Sequence, residues 1–422
     1  MTEDFLQFIW QHKLLKNSGL FTVQNQPIEI INPGTLNPNQ GPDFTNARIK
    51  IGNTLWAGNV EIHIKASDFY KHHHYLDKAY SNLILHVVYE NDIATGHLPV
   101  LELKNIVPHA LYSTYYSLIK NKQPITCTTY LAQIADGIKT LTLQQKFIER
   151  LEQKCTSLEK QLTELNSNWE QLFWLNIFKY LGGTVNAHAF LLLAQTTNFN
   201  YLVKHSYQPL TVEACLFGLS GLLFNPTIND EYYRQLQQEF KFHQPFCNKP
   251  LDEKIWRFMR LRPNGFPTIR ISQLANLISK HPDLFTKCLN AESVTEIIEL
   301  LTISANPYWN THYIFGKTST KKSIYKTIGK EQRVSLIINA IIPLLFTYGS
   351  LKNIETLKEK AINFMEQLPP ENNRITRLFK ALNFKLINAA DTQGSLCLFN
   401  NYCLHKKCLS CSIGASIIKH SS

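Results

Sequence analysis

The chain has 422 residues, with 43 Lys and Arg against 32 Asp and Glu, a formal net charge of +11, and 44% of it is hydrophobic. That hydrophobic share excludes wholesale disorder, and the length leaves room for two or three folded domains. No apolar run reads as a bilayer span, since the best, Ser335 to Tyr348, is interrupted by Asn339 and Pro343. The N-terminus is acidic, unlike a secretory signal, so a cytoplasmic protein without a membrane segment is expected.

In chain order, Phe5, Phe8, Ile9, Trp10 and Leu14 fall at helical spacing behind Thr2, which predicts a short helix over 3–15 capped by that threonine. Residues 20–31 alternate and are rich in Val, Ile and Thr, as a strand or hairpin would be. After a loop with two prolines and two glycines, 44–51, a Gly52-Asn53 turn and 54–65 read as a β-hairpin. A polar helical segment over 67–80, a β-branched strand over 82–89 and a last strand over 98–103 complete a sheet. Beyond 108 the pattern becomes helical, beginning with one long amphipathic helix over 140–165 that would brace the two halves. The expected fold class is α+β: an N-terminal α/β core with a mixed sheet (1–108), a helical domain (109–315), and a basic helical C-terminal region with a cysteine cluster (316–422).

Charge and cysteine are both uneven. Residues 317–422 hold 16 basic and 6 acidic side chains, a net of +10, so the basic excess is a property of the last quarter. Such a region attracts polyanions, nucleic acid foremost. Cys127, Cys155, Cys215, Cys247 and Cys288 are scattered and expected to be buried, whereas Cys397, Cys403, Cys408 and Cys411 crowd the end of the chain.

Within the hairpin, Gly41-Pro42-Asp43 opens the first strand, and Glu61, His63 and Lys65 share one face of the second, because a strand has period two. Asp43 and Glu61, 18 positions apart across one tight turn, can meet at one sheet edge and hold Mg²⁺ or Mn²⁺. The order helix, strand, Pro-Asp hairpin, Glu-x-His, helix and strand resembles the PD-(D/E)xK nuclease core, a restriction-endonuclease-like fold. The resemblance implies that Asp43 and Glu61 bind the metal and that Glu3 is the acidic residue of the first helix. Those nucleases carry Lys at the third position, where this chain has His63. Lys65, two residues on, is one replacement; His63 as metal ligand or general base is the other. Gly41-Pro-Asp-Phe44, Trp56-Ala-Gly-Asn-Val-Glu-Ile-His63, Leu85-His-Val-Val88, Leu101-Glu-Leu-Lys104, Arg260-Leu-Arg-Pro263 and Cys408-Leu-Ser-Cys-Ser-Ile-Gly414 resemble a bacterial family known as domain of unknown function 2851.

Five further features complete the reading. Glu102 and Lys104 behind Asp92 form a second Glu-x-Lys, ranked below the first and read as a structural pair. His63, His74 and His86 can converge on a transition metal, the imidazole-based alternative to a carboxylate site, with His74 and His86 otherwise accessory. Arg257, Arg260, Arg262 and Arg270 alternate with Trp256, Phe258 and Phe266, which suits phosphate contact and base stacking unless the rings are core. Lys321 and Lys322 lie in a stretch from Lys317 to Arg333 with six basic residues and one acid, a stronger electrostatic footprint. Cys403-x4-Cys408-x2-Cys411, with Cys397 or His405 as fourth ligand, has spacing for structural Zn²⁺, or for an iron–sulfur cluster if four cysteines participate. The functional expectation is a metal-dependent nucleic-acid phosphodiesterase. A degenerate core serving as a non-catalytic nucleic-acid-binding scaffold and a histidine-based metal hydrolase are the alternatives.

Overall fold

The computed structural model describes residues 1–16, 19–93, 96, 98–319 and 324–421. Helix accounts for 56% of the chain and strand for 12%, an α+β protein with an N-terminal mixed sheet and helices after it. The chain packs as two units: one is built from 1–143, 378–384 and 396–422, the other from 144–377 and 385–395.

The first unit begins with α1 (Glu3–Gln11), whose N-cap Thr2 side chain accepts from the Phe5 N–H, as its sequence requires. Phe5, Leu6, Phe8, Ile9 and Trp10 are all buried, and the Trp10 indole N–H donates to the Pro33 carbonyl at 3.0 Å. Full burial of an indole removes enough apolar area from water to contribute on the order of a few kcal/mol, which anchors α1 to the sheet. The sheet has seven strands: β1 (Leu20–Phe21), β2 (Pro27–Asn32), β3 (Thr35–Leu36), β4 (Phe44–Ile51), β5 (Thr54–Lys65), β6 (Leu83–Glu90) and β7 (Val100–Glu102). Their spatial order is β1-β2-β4-β5-β6-β7, with β3 beside β4. Pairings are antiparallel through β5, while β6 runs parallel to β5 and β7 parallel to β6. The β5–β6 crossover carries a four-residue helix α2 (Asp68–Lys71) and two 3₁₀ turns, His74–Leu76 and Lys78–Tyr80. The expected helix over 67–80 is therefore broken, and the break is at His73, which takes φ 59°. A left-handed residue cannot continue a right-handed helix.

In the first unit α3 (His109–Lys120) packs with the C-terminal helix Ser412–Lys419. The long helix α4 (Asp136–Glu164) is present as its Leu spacing predicts.

The second unit is helical. The single periodic stretch over 170–195 is two helices, Trp169–Leu181 and Gly183–Thr196, because Gly183 adopts φ +62° between them. Pro209–Leu219 is apolar on all sides and buried from Thr211 to Leu219, as a central helix must be. The stretch around Ser335–Tyr348 is not short, contrary to the sequence expectation: it belongs to a continuous helical run Lys330–Leu351 of 22 residues, long and apolar enough to cross a membrane. Its apolar window is 72% buried inside the protein, so packing against neighbouring helices accounts for its composition. A π turn at Ile337–Ile341 precedes Pro343, and this wider turn lets the helix continue through the proline.

Candidate metal centre

A one-residue bulge sets the register that builds the site. In β4, Phe44 pairs with Val60, but the next pair is Ala47 with Gly58, so one extra residue sits between, with Asn46 left-handed at φ 59°. That extra residue places Asp43 across from Glu61 rather than Ile62. Each carboxylate then accepts a backbone N–H from the facing strand: the Asp43 N–H donates to Glu61 Oε2 at 3.0 Å, and the Ile62 N–H donates to Asp43 Oδ2 at 3.0 Å. The Gln7 side chain on α1 also hydrogen-bonds Asp43.

Glu61 keeps its other oxygen for the histidines. Oε1 lies 3.5 Å from His63 Nε2 and 3.5 Å from His74 Nε2. His63, His72 and His74 each offer one ligand atom, and these atoms lie within 4.8 Å of one another. The left-handed His73 turns His72 and His74 back toward β5, which is why three consecutive histidines at an irregular element contribute two ligands. His86, on β6 in register with Glu61, meets the remaining nitrogen of His63: Nδ1 and Nε2 are 2.9 Å apart. Tyr80 stacks on His74 with ring centroids 4.3 Å apart.

Burial shapes the electrostatics. Glu61 is 4% exposed, and burial, then the charges of Asp43 and Glu3, push its carboxyl up to about 8. Burial likewise raises Asp43 to about 6, although the Ile62 N–H and Gln7 oppose the rise. Burial and neighbouring imidazoles lower His63 to about 3 and His86 to about 4. Burial also raises the Glu3 carboxyl, with His72 pulling the other way. Burial thus disfavours charge on both kinds of group, holding Asp43 and Glu61 above the ordinary carboxylate range and His63 and His86 below the ordinary imidazole range. Carboxylate and neutral imidazole in close contact form a donor set that fits a divalent transition-metal ion. Mg²⁺ alone is a poorer match, because it favours oxygen ligands.

The residues predicted from sequence divide accordingly. Asp43, Glu61, His63, His74, His86 and Glu3 come together, and His72 joins them; the His-His-His run gave it no more weight than its neighbours. Lys65 stands apart: it is exposed, paired in register with Glu90, where Lys104 and more weakly Lys65 hold Glu90 below the ordinary carboxylate range. Glu102 accepts from the Asn91 N–H and Lys104 bridges Glu90 at 2.6 Å, so the second Glu-x-Lys is a structural pair at the sheet edge.

His86 works through His63. If His63 Nε2 faces the metal, His63 Nδ1–H must donate to His86 Nε2, which fixes the His63 tautomer. His86→Phe is expected to weaken Mn²⁺ or Zn²⁺ binding by about 10- to 100-fold in isothermal titration without unfolding the sheet. Unchanged affinity would show that His63 needs no such orientation.

In the helical unit Arg260 and Arg262 are exposed, Arg260 with φ 64°. Arg270 departs from the expectation of a phosphate contact: its guanidinium donates to Gln273 at 2.9 Å, and burial lowers its pKa to about 10. Trp256 is buried with its indole N–H on the Ser220 carbonyl, and Phe258 packs edge-on against Phe266, so these rings serve the core rather than bases. Lys321 and Lys322 lie outside the described residues.

At the C-terminus the sequence offers Cys397 or His405 as the fourth member of the cysteine set. Cys397 is buried in a helix end, where the Asn401 side chain donates to its Sγ at 3.4 Å, and His405 is exposed. Burial, then the Cys411 and Cys408 thiols, push the Cys127 thiol up to about 12. Burial and the thiols of Cys411, Cys127 and Cys408 raise Cys403 in the same way.

No curated protein and no solved structure matches the chain. The family model described as Protein of unknown function (DUF2851) matches residues 3–374, which takes in every histidine and carboxylate of the site and stops short of the C-terminal cysteines. The chain belongs to the DUF2851 family.

Proposed function

We propose that this protein is a metal-dependent hydrolase of nucleic-acid phosphodiesters, with Glu61, His63, His72 and His74 as ligands and Asp43 as the second carboxylate. The observation that carries the reading is Glu61 Oε1 at 3.5 Å from both His63 Nε2 and His74 Nε2, beside a carboxylate held in place by the Ile62 N–H. A divalent ion there would polarise a phosphoryl oxygen and lower the pKa of a bound water. Mn²⁺ suits the mixed donors better than Mg²⁺, so the geometry moves the reading from a pure carboxylate site toward the imidazole-based one. His63 replaces the lysine of the nuclease pattern as ligand, and Lys65 has no part in the chemistry.

The order of elements supports the nuclease-like reading: a helix, an antiparallel β2-β4-β5 meander, a helical crossover and the parallel strand β6. The net charge of +11 supports a polyanionic substrate. A non-catalytic scaffold is the second reading, and the reciprocal hydrogen bonds between Asp43 and the Glu61–Ile62 segment favour it, since they satisfy both carboxylates without a metal.

Purified protein assayed with single- and double-stranded DNA and RNA separates the two. Cleavage is expected with Mn²⁺ and weaker with Mg²⁺; Asp43→Ala and His74→Ala should each reduce turnover by at least about 100-fold while salt-dependent binding persists. Binding without turnover under any divalent metal selects the scaffold, and neither binding nor turnover removes nucleic acid as substrate.

A further inference from the structure

The first unit is not one continuous stretch: its last piece, 396–422, returns to the N-terminal α/β part after the chain has built the second unit. The join is made by two cysteine-bearing segments. One is the turn after α3, where the Asn121 side chain donates to the Thr126 carbonyl at 2.8 Å and the Cys127 carbonyl accepts from the Tyr130 N–H. The other is the loop 403–411. Thr126 Oγ1 lies 3.4 Å from Cys408 Sγ, across 282 positions of sequence, and Lys406 Nζ donates to the Ile119 carbonyl at 2.6 Å.

The loop is shaped as a ligand knuckle. The helix before it ends in a π turn at Leu398–Cys403, and Lys406 reverses the chain with φ 53°. The Cys411 N–H then donates to the Cys408 carbonyl at 3.3 Å, which holds the two cysteines of C-x2-C in one tight turn. Cys411 also caps the helix Ser412–Lys419, and its carbonyl accepts from Ala415. Gly414 lies against this turn so closely that a Cβ there would stand 2.3 Å from the Cys408 carbonyl oxygen. Only glycine lets the helix start that near the cysteine turn. Cys408 and Cys411 are buried, Cys127 and Cys403 half-buried, and none of the four is in a disulfide. The Cys411 and Cys408 thiols raise that of Cys127, and the other three raise that of Cys403, so the four lie within electrostatic reach of one another.

Four cysteines brought to one join by the contacts of Thr126 with Cys408 and of Lys406 with Ile119, with no disulfide between them, have the composition of a soft-metal ligand set. We propose that Cys127, Cys403, Cys408 and Cys411 hold a four-thiolate metal centre, a zinc ion or an iron–sulfur cluster, that fastens the C-terminal segment to the N-terminal α/β unit. Cys397 is not a ligand. The centre closes a loop of nearly the whole second unit, which is where a cross-link restricts the unfolded chain most. The inference is independent of the hydrolase reading, because it concerns different residues and a structural role.

The test uses the full chain purified anaerobically without chelators, with metal measured by plasma mass spectrometry and visible absorption, and ligands by X-ray absorption at the metal edge. Wild-type protein is expected to hold a metal whose absorption spectrum reports sulfur ligands, at about 2.3 Å if it is zinc. Colourless protein with zinc identifies the ion, and brown protein with iron and acid-labile sulfide identifies the cluster. Cys127→Ser should lose that metal, and Cys397→Ser should keep it. Should Cys127→Ser fail to fold, the ligand spectrum of the His74→Ala variant, whose cysteines are all intact and whose histidine site is weakened, decides alone. Wild-type protein free of metal, a centre with no sulfur ligands, or loss in Cys397→Ser instead of Cys127→Ser would each overturn the proposal.

Discussion

Glu61→Gln should reduce Mn²⁺ or Zn²⁺ affinity at the histidine site by at least about 100-fold, because it removes the one anionic ligand that touches two imidazoles. The fold should survive, since the glutamine carbonyl can still accept the Asp43 N–H that Glu61 Oε2 accepts now. The same substitution should change the protons released on binding. With Glu61 raised to about 8 and Asp43 to about 6, the wild-type site enters neutral solution holding a proton that a metal ion must displace. Titration calorimetry in buffers of different ionisation enthalpy should therefore show proton release near pH 7, and apparent affinity should climb as pH rises from 6 to 8. If Glu61→Gln binds metal as tightly as wild type, the histidines alone form the site and Glu61 is only their neighbour.

The metal-free protein should respond to pH in the opposite direction. The folded-state pKa of Glu61 lies above its ordinary 4.5, so the contribution of its protonated carboxyl is complete below that value and is lost as pH rises through about 8. His63 and His86 are depressed below 6.5, so their contribution is present above 6.5 and is lost as pH falls through about 4 and then about 3. Above pH 6.5 the histidine contribution is constant and the carboxyl dominates. Local stability of β5 in metal-free protein should fall by roughly 2 kcal/mol between pH 6.5 and 8, at about 1.4 kcal/mol per unit of pKa difference. Hydrogen exchange of the Glu61–Lys65 amides, corrected for the intrinsic pH dependence of exchange, reads this directly. Saturating Mn²⁺ should reverse the fall, and Glu61→Gln should flatten it, leaving the variant more stable than wild type at pH 8 without metal. A carboxylate kept only for structure would show the opposite ranking, with the variant weaker at every pH.

These two results bear on the choice between enzyme and scaffold. A site that is strained without metal and relieved by it is built for an ion. Reciprocal hydrogen bonds between Asp43 and the Glu61–Ile62 segment hold the two carboxylates in place without an ion, which by itself favours the scaffold, so the response to metal decides.

Much of the framework is legible locally. Thr2 caps α1, Gly52-Asn53 turns the β4–β5 hairpin, and the β-branched run before Glu90 makes β6, because capping, turn chemistry and periodicity act over a few residues. Asp43 and Glu61 face one another for a nearly local reason as well, being joined by a single tight turn. The spacing C-x4-C-x2-C is likewise a short-range signal.

What the tertiary structure decided lies at longer range or turns on burial. The bulge at Asn46 fixed which residue Asp43 faces, and the left-handed His73 fixed which histidines of the run reach β5. Cys127 could not be joined to Cys403, Cys408 and Cys411 by spacing, because the whole helical unit lies between them in sequence. Arg270 and the run Lys330–Leu351 have the composition of a phosphate contact and of a membrane span, but Arg270 is half-buried and bonded to Gln273, and the run's apolar window is 72% buried. Sequence by itself determined the residue types and the local elements that carry them. Which of those residues meet was decided by contacts between distant segments, where apolar burial and register, rather than local preference, set the geometry.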